Sequence, residues 1–303
     1  MTSAQRKEAI SAFLFISPFL VWMVFFMGGP ILAAIFLSFT DSDGGMSATH
    51  FIGVTNYTNM FTDQRFWNSL YNTVFFTFFS VPIGMVLSII VALLMNQKVR
   101  GIAIYRTVYY VPSVLGAGVA VAILWRWVFQ PDYGLLNNVI DTISFGHLAG
   151  PKWLASEAWS KPALIIMSFW GVGSSMIIYL AGLQGIPTAL YEAAEIDGAN
   201  RWQQFWTVTL PGLSPVIFFQ LIIAIVFSFQ IFNQVYVMTD GSGGPADSTL
   251  VQVLYIYLHA FKYNMHMGYA SAMACVLFLI IMSATWLQFK FSKWVYYEGE
   301  LRN

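Results

Sequence analysis

Six apolar stretches alternate with more polar ones along this chain, at roughly 10 to 38, 67 to 95, 107 to 129, 162 to 185, 212 to 238 and 267 to 289. A helix of about 20 apolar residues spans a hydrocarbon core. The pattern therefore predicts an all-α integral membrane protein with six transmembrane helices. Their interiors are almost free of Asp, Glu, Lys and Arg, as expected where a central charge costs about 3 kcal/mol. Arg126, near the end of the third stretch, is the marginal exception. The polar segments 39–66, 130–161 and 239–266 are long enough for short helices, whereas 96–106 is brief. Asp240 to Pro245 (DGSGGP) is a dense turn cluster, readable as a flexible connector or as a docking surface for an extracytoplasmic partner.

Composition strengthens the membrane reading. The chain of 303 residues is 58% hydrophobic, 17% aromatic and only 9% charged, with a mean hydropathy of +0.66. A soluble domain of this size needs a charged surface that is missing here. Arg6, Lys7, Lys98, Arg100, Arg106, Arg201, Lys290, Lys293 and Arg302 fall on one side of the predicted bundle, against Arg65, Arg126, Lys152, Lys161 and Lys262 on the other. The positive-inside rule then puts both termini and the segment around Glu192 in the cytoplasm. No basic tract suggests nucleic acid. The first apolar segment lacks a convincing small-residue cleavage site and reads as an uncleaved span. Cys275, the single cysteine, reads as a packing residue.

One hydrophilic interruption, 187–211, has a readable local design. Thr188 suits a helix N-cap, and Gly198 suits the left-handed residue that ends such a helix. Asn200 with Gln203 resembles a capping box for a second helix running towards Pro211. The expectation is a helix, a sharp corner and a second helix at the membrane surface. Ala193, Ala194 and Ala199 would let another protein approach the backbone closely, while Glu192, Glu195 and Asp197 offer charge to basic partners. An ordinary amphipathic connector with solvated carboxylates is the competing reading.

The run Glu192, Ala193, Ala194, then Asp197, Gly198, Ala199, closed by Leu210 and Pro211, resembles the EAA loop of binding-protein-dependent ABC transporter permeases. Asn56-Tyr57, Phe66-Trp67 through Asn72-Thr73, Tyr109-Tyr110-Val111-Pro112 and Gly243-Gly244-Pro245 look like the carbohydrate-transporting, maltose-type branch. The resemblance covers nearly the whole chain. It implies a type I ABC importer permease fold, a single transmembrane domain over 1–303 with a cytoplasmic coupling loop at 187–211, and a bacterial or archaeal cytoplasmic membrane location. It also implies three partners: a second homologous permease, a dimer of ATPase subunits and an extracytoplasmic solute-binding protein. No Gly-x4-Gly-Lys-Ser/Thr phosphate loop occurs in the chain, so ATP would be bound and hydrolysed by the partner ATPases, and this subunit is expected to be non-catalytic and free of cofactors.

A translocated sugar needs hydrogen-bond partners that replace water and flat apolar faces for its C–H surface. Gln230, Asn233 and Gln234 stand at i, i+3, i+4 in the fifth stretch and would share a helix face. In the fourth, Ser168, Gly171 and Ser175 form one stripe, flanked by Trp170 and Ser174. All are candidates for the transport path, and all are equally able to pack helices together. Asn233 lies about 30 Å of helix beyond Gly212, nearer an outer mouth than a midplane. Trp22, Trp125, Trp127, Trp153 and Trp286 read as interfacial anchors, and His50, His147, His259 and His266 show no metal-ligand spacing. Arg126 reads as a snorkelling side chain, with an anionic cargo group as the alternative. Two rival classes are an ion-coupled secondary transporter, which would want a titratable group inside a span, and a membrane-embedded enzyme built on the Glu192, Glu195 and Asp197 carboxylates.

Overall fold

The computed structural model describes residues 3–45, 48–115, 118–263 and 265–296. Arg302, used above to orient the chain, and residues 116–117 of the third apolar stretch lie outside that set. The described chain is helical, with no strand beyond an isolated bridge between Thr40 and Phe51. Among the described residues five helices are long and apolar enough to cross a membrane: α1 (Gln5–Leu37), α3 (Gln64–Met95), α7 (Glu157–Gly185), α9 (Arg201–Phe229) and α12 (Met267–Lys290). The expected third span is a pair, α4 (Ile102–Val114) and α5 (Val119–Val128), bent by 102° at the break between them. The six-span count holds if this pair is one broken span. Pro112 lies inside α4 just ahead of the break, where proline removes a helical hydrogen bond.

Shorter helices occupy the connections: α2 (Thr55–Thr62), α6 (Leu135–Ile143), α8 (Thr188–Ile196), α10 (Asn233–Met238) and α11 (Gln252–Phe261). The chain forms two compact units, Met1–Asp63 with Ile256–Phe278, and Gln64–Tyr255 with Leu279–Asn303. In the first, the end of α1 is stitched down by polar groups. Asn56 Nδ2 donates to the carbonyls of Ser38 and Thr40 at 2.9 and 2.8 Å, and Tyr57 Oη donates to Ser38 Oγ at 2.8 Å. A Cβ on Gly268 would lie 2.0 Å from the Thr40 carbonyl oxygen, so only glycine fits there. This unit buries none of the most apolar window of α1.

In the second unit, α3, α7 and α9 pack around Ala92, Met95, Met176, Tyr179, Leu183, Ile186 and Leu213. Small residues allow the approach. A Cβ on Gly173 would sit 2.1 Å from the Tyr109 carbonyl of α4, and one on Gly182 would sit 2.8 Å from Val216 of α9. Close backbone approach through small residues, with hydroxyl bonds between helices, is how helices associate where lipid removes the hydrophobic drive. Ser228 Oγ donating to Thr77 Oγ1 at 2.9 Å is one such bond. The chain beyond α12 returns to α9, where Tyr296 N donates to Ser214 Oγ at 2.8 Å.

Candidate functional site: a helical corner and an uncharged cavity

The corner at 187–211 forms largely as its residues dictate. α8 carries Glu192, Ala193 and Ala194, Asp197 is its C-cap, and Gly198 follows with φ of +80°. The Ala199 N–H reaches the Ala194 carbonyl at 2.9 Å and the Gly198 N–H reaches the Glu195 carbonyl at 3.0 Å. This is the paired Schellman closure, which satisfies carbonyls the helix end leaves open. One residue on, Asn200 Oδ1 accepts the Gln203 N–H at 3.0 Å and Gln203 Oε1 accepts the Asn200 N–H at 2.8 Å, a complete capping box.

Two expectations need correction. Pro187, not Thr188, is the N-cap of α8, and Thr188 is its first helical residue without a side-chain capping bond. Ile186, preceding a proline, is held extended, so the chain is already at the helix entrance when it reaches Thr188. The second helix, moreover, is not a separate surface element. α9 runs from Arg201 through a π segment at Phe205–Thr209 directly into the span, ending at Phe229. Pro211 falls at the start of the resumed α-helical run. The π segment has already changed the hydrogen-bond register there, so the missing N–H does not break the helix.

The outer surface of the corner is open. Glu192, Ala193, Asp197 and Gly198 are exposed and Ala194 and Ala199 half-buried, with Ile196, Trp202 and Trp206 exposed beside them. Its inner side is anchored. Tyr191 Oη lies 3.0 Å from Thr209 Oγ1, and Tyr191 and Val208 pack on the core that holds Ile186 and Leu213.

Within the span region α3, α7, α9 and the start of α10 line a half-open cavity of about 590 Å³. Ser168, Trp170, Ser174, Ser175, Gln230, Asn233 and Gln234 all line it. The reason for the fifth-span set differs from the expected one. α9 stops at Phe229, Gln230 is its C-cap, Phe232 is non-helical, and α10 starts afresh at Asn233. The three amides are therefore not neighbours on one helix face, and the break itself brings them to the cavity. Ser168 Oγ bonds the Ile165 carbonyl at 2.6 Å, so its hydroxyl is partly spent on its own helix.

Sequence reasoning missed Tyr179 and Gln220, which also line the cavity. The Tyr179 hydroxyl and the Trp170 Nε1–H are buried with no hydrogen-bond partner among the described residues. Trp170 meets Trp125 edge-to-face at 6.0 Å. No Asp, Glu, Lys or Arg contributes to the described lining. Arg126 lies elsewhere and is paired: its two terminal nitrogens grip both carboxylate oxygens of Asp240, Nη2 to Oδ2 at 2.6 Å. That guanidinium holds the Asp240 carboxyl below its ordinary pKa. Among the described residues no group of three or more His, Cys, Asp or Glu is placed to hold a metal.

A bundle of apolar helices with an exposed helical corner on one span and an uncharged polar cavity between spans defines a multi-pass membrane transport protein. Residues 84–296 match the family model described as the binding-protein-dependent transport system inner membrane component, and the chain belongs to that family. It is a permease component of the inner membrane. The probable ABC transporter permease protein YesP of Bacillus subtilis (strain 168) is 41% identical over 297 residues, covering 97% of this chain and 94% of that protein. The lactose transport system permease protein LacF of Rhizobium radiobacter is 36% identical over 291 residues, covering 95% and 96%. Among solved structures, a chain of a bacterial alginate ABC transporter, in complex with an alginate pentasaccharide-bound periplasmic protein, superposes with a TM-score of 0.79 at 23% identity over 95% of each chain. That match speaks to the fold.

Proposed function

We propose that this chain is the permease of an ATP-driven importer for a sugar, an oligosaccharide or a sugar derivative. It works with a second homologous permease, a dimer of ATPase subunits and an extracytoplasmic solute-binding protein, with both of its termini and the 187–211 corner in the cytoplasm. The ATPase partners bind and hydrolyse ATP; this subunit converts their closure into alternating access. Glu192, Ala193, Ala194, Asp197, Gly198 and Ala199 form the surface on which an ATPase subunit pushes. Gln230, Asn233, Gln234, Ser168, Trp170, Ser174 and Ser175 contribute to the cargo path.

The observation that carries this reading is the unbroken helix α9, whose N-terminal end is the exposed corner and whose C-terminal end opens into the cavity. A carbohydrate cargo is supported by the lining, which pairs hydroxyls and carboxamides with indole and phenyl faces, and by a relative named for lactose transport.

The test is ATP hydrolysis by the complete complex in liposomes, with and without its loaded binding protein, comparing wild type with Gly198→Pro. Proline fixes φ near −65°, against the +80° found at this position. Stimulation present in wild type and lost in an assembled variant supports the coupling reading. Normal stimulation of the variant removes it.

A further inference from the structure

Apart from the corner and the cavity, the most heavily built feature is the segment between α10 and α11. Between 240 and 247, six residues have φ between +49° and +83°: Asp240, Gly241, Gly243, Gly244, Ala246 and Asp247. A Cβ would fall 2.8 Å from the Tyr236 ring at Gly241, 2.8 Å from Leu250 Cβ at Gly243 and 2.5 Å from Thr249 Oγ1 at Gly244. Left-handed backbone at Asp and Ala persists only where the surroundings over-determine it. Here they do so from three helices. From α5, Arg126 grips Asp240 and also reaches the Val237 carbonyl at 3.4 Å. From α3, Arg65 grips both oxygens of Asp247 at 2.8 Å, and Asn72 Nδ2 donates to the carbonyls of Asp247 and Leu250 at 2.8 and 2.9 Å. From α7, Ser160 Oγ lies 2.8 Å from Ser248 Oγ.

α10 enters this segment directly. Because the helix is interrupted at Gln230–Phe232, α9 does not fix the placement of α10 by helical continuity. Its restraints include its packing against α5 and the clamped chain that leaves its C-terminal end. We infer that Arg126 and Arg65, acting through Asp240 and Asp247, are positioning residues that hold α10 in register and so set Asn233 and Gln234 in the cavity wall. This rests on the cargo-path reading for its meaning in transport. A planar guanidinium gripping both carboxylate oxygens restrains orientation as well as distance, which is what a short, separately anchored helix requires.

The test reads geometry without cargo. In the assembled complex carrying Cys275→Ser, nitroxides are placed at Asn233→Cys and Met85→Cys, across the cavity, and their distance distribution is measured by double electron–electron resonance. Arg126→Gln and Asp240→Asn should each broaden it and raise the ratio of displaced to native populations roughly two- to fivefold, the range a partly exposed ion pair supports. The charge-swapped pair Arg126→Asp with Asp240→Arg should narrow it again, and Arg126→Lys should fall between. Unchanged distributions in the single variants, or a swap as broad as either single variant, overturn the inference. If instead Asn233→Leu leaves uptake unaltered, the cargo-path reading falls while the positioning result stands.

Discussion

Gly198 illustrates how a single backbone position sets the corner. Its φ of +80° costs glycine little, and a Cβ there would meet nothing within 4 Å. Gly198→Ala is therefore expected to cost about 1–2 kcal/mol through backbone strain alone. It should lower the melting temperature of the purified subunit and weaken stimulation by the binding protein without blocking assembly. Asn200→Ala, which removes the capping box, should cost about 1 kcal/mol by the same measurement. Both positions were legible in the sequence because their signals are local. Thr188 was misread because a neighbouring proline took the capping position, and Tyr179 gave no signal at all, being one more large side chain in an apolar run. Asp240 carries a pH prediction. Its carboxyl pKa is depressed by hydrogen bonding from Arg126, so the pair's contribution is complete above the ordinary carboxylate value and disappears as pH falls through the lowered one. A nitroxide at Ser242 should keep its mobility from about pH 7 to about pH 5 and loosen only in more acidic solution.

Helices long enough to span were easy to find by their apolar runs, and their interruptions were not. The break at Gln230–Phe232 sits in a stretch with no glycine or proline, so nothing local announces it. Its position is stabilised by contacts from other helices: the Ser228–Thr77 bond, the bed of α5 and the clamped segment beyond. The bend between α4 and α5 did leave a trace, Pro112 followed by Gly116 and Gly118. The hydropathy of the stretch is nonetheless continuous, which is why it reads as one span. Packing of α4 on α7 depends on Gly173, where a Cβ would stand 2.1 Å from a backbone oxygen that has no rotamer with which to retreat. Gly173→Ala should destabilise the bundle by about 1–3 kcal/mol as overpacking, seen as a lower unfolding temperature in detergent.

Considered entire, the molecule carries one span, α1, whose own compact unit buries none of its most apolar window. Phe15 and Phe25 are among its most exposed side chains. A lipid-soluble photoprobe should label these positions in the isolated subunit, and labelling of at least one face should fall when the second permease is assembled with it. Equal labelling in both states would mean that α1 faces lipid throughout. The continuity of α9 has a mechanical meaning. With 29 residues from Arg201 to Phe229, it is a rod of about 43 Å, pinned at Thr209 by Tyr191 and near its middle, at Ser214, by the returning C-terminal chain. A displacement at the corner would pass along such a rod except where its hydrogen-bond ladder is altered, at the π turn of Phe205–Thr209 and at Pro215, which has no N–H to give. Compliance is thus concentrated in two places between the corner and the cavity, the π turn and the turn at Pro215. Under the coupling role proposed for the corner, stiffening or softening either place would change how much of a displacement made there arrives at the far end while leaving both ends chemically intact.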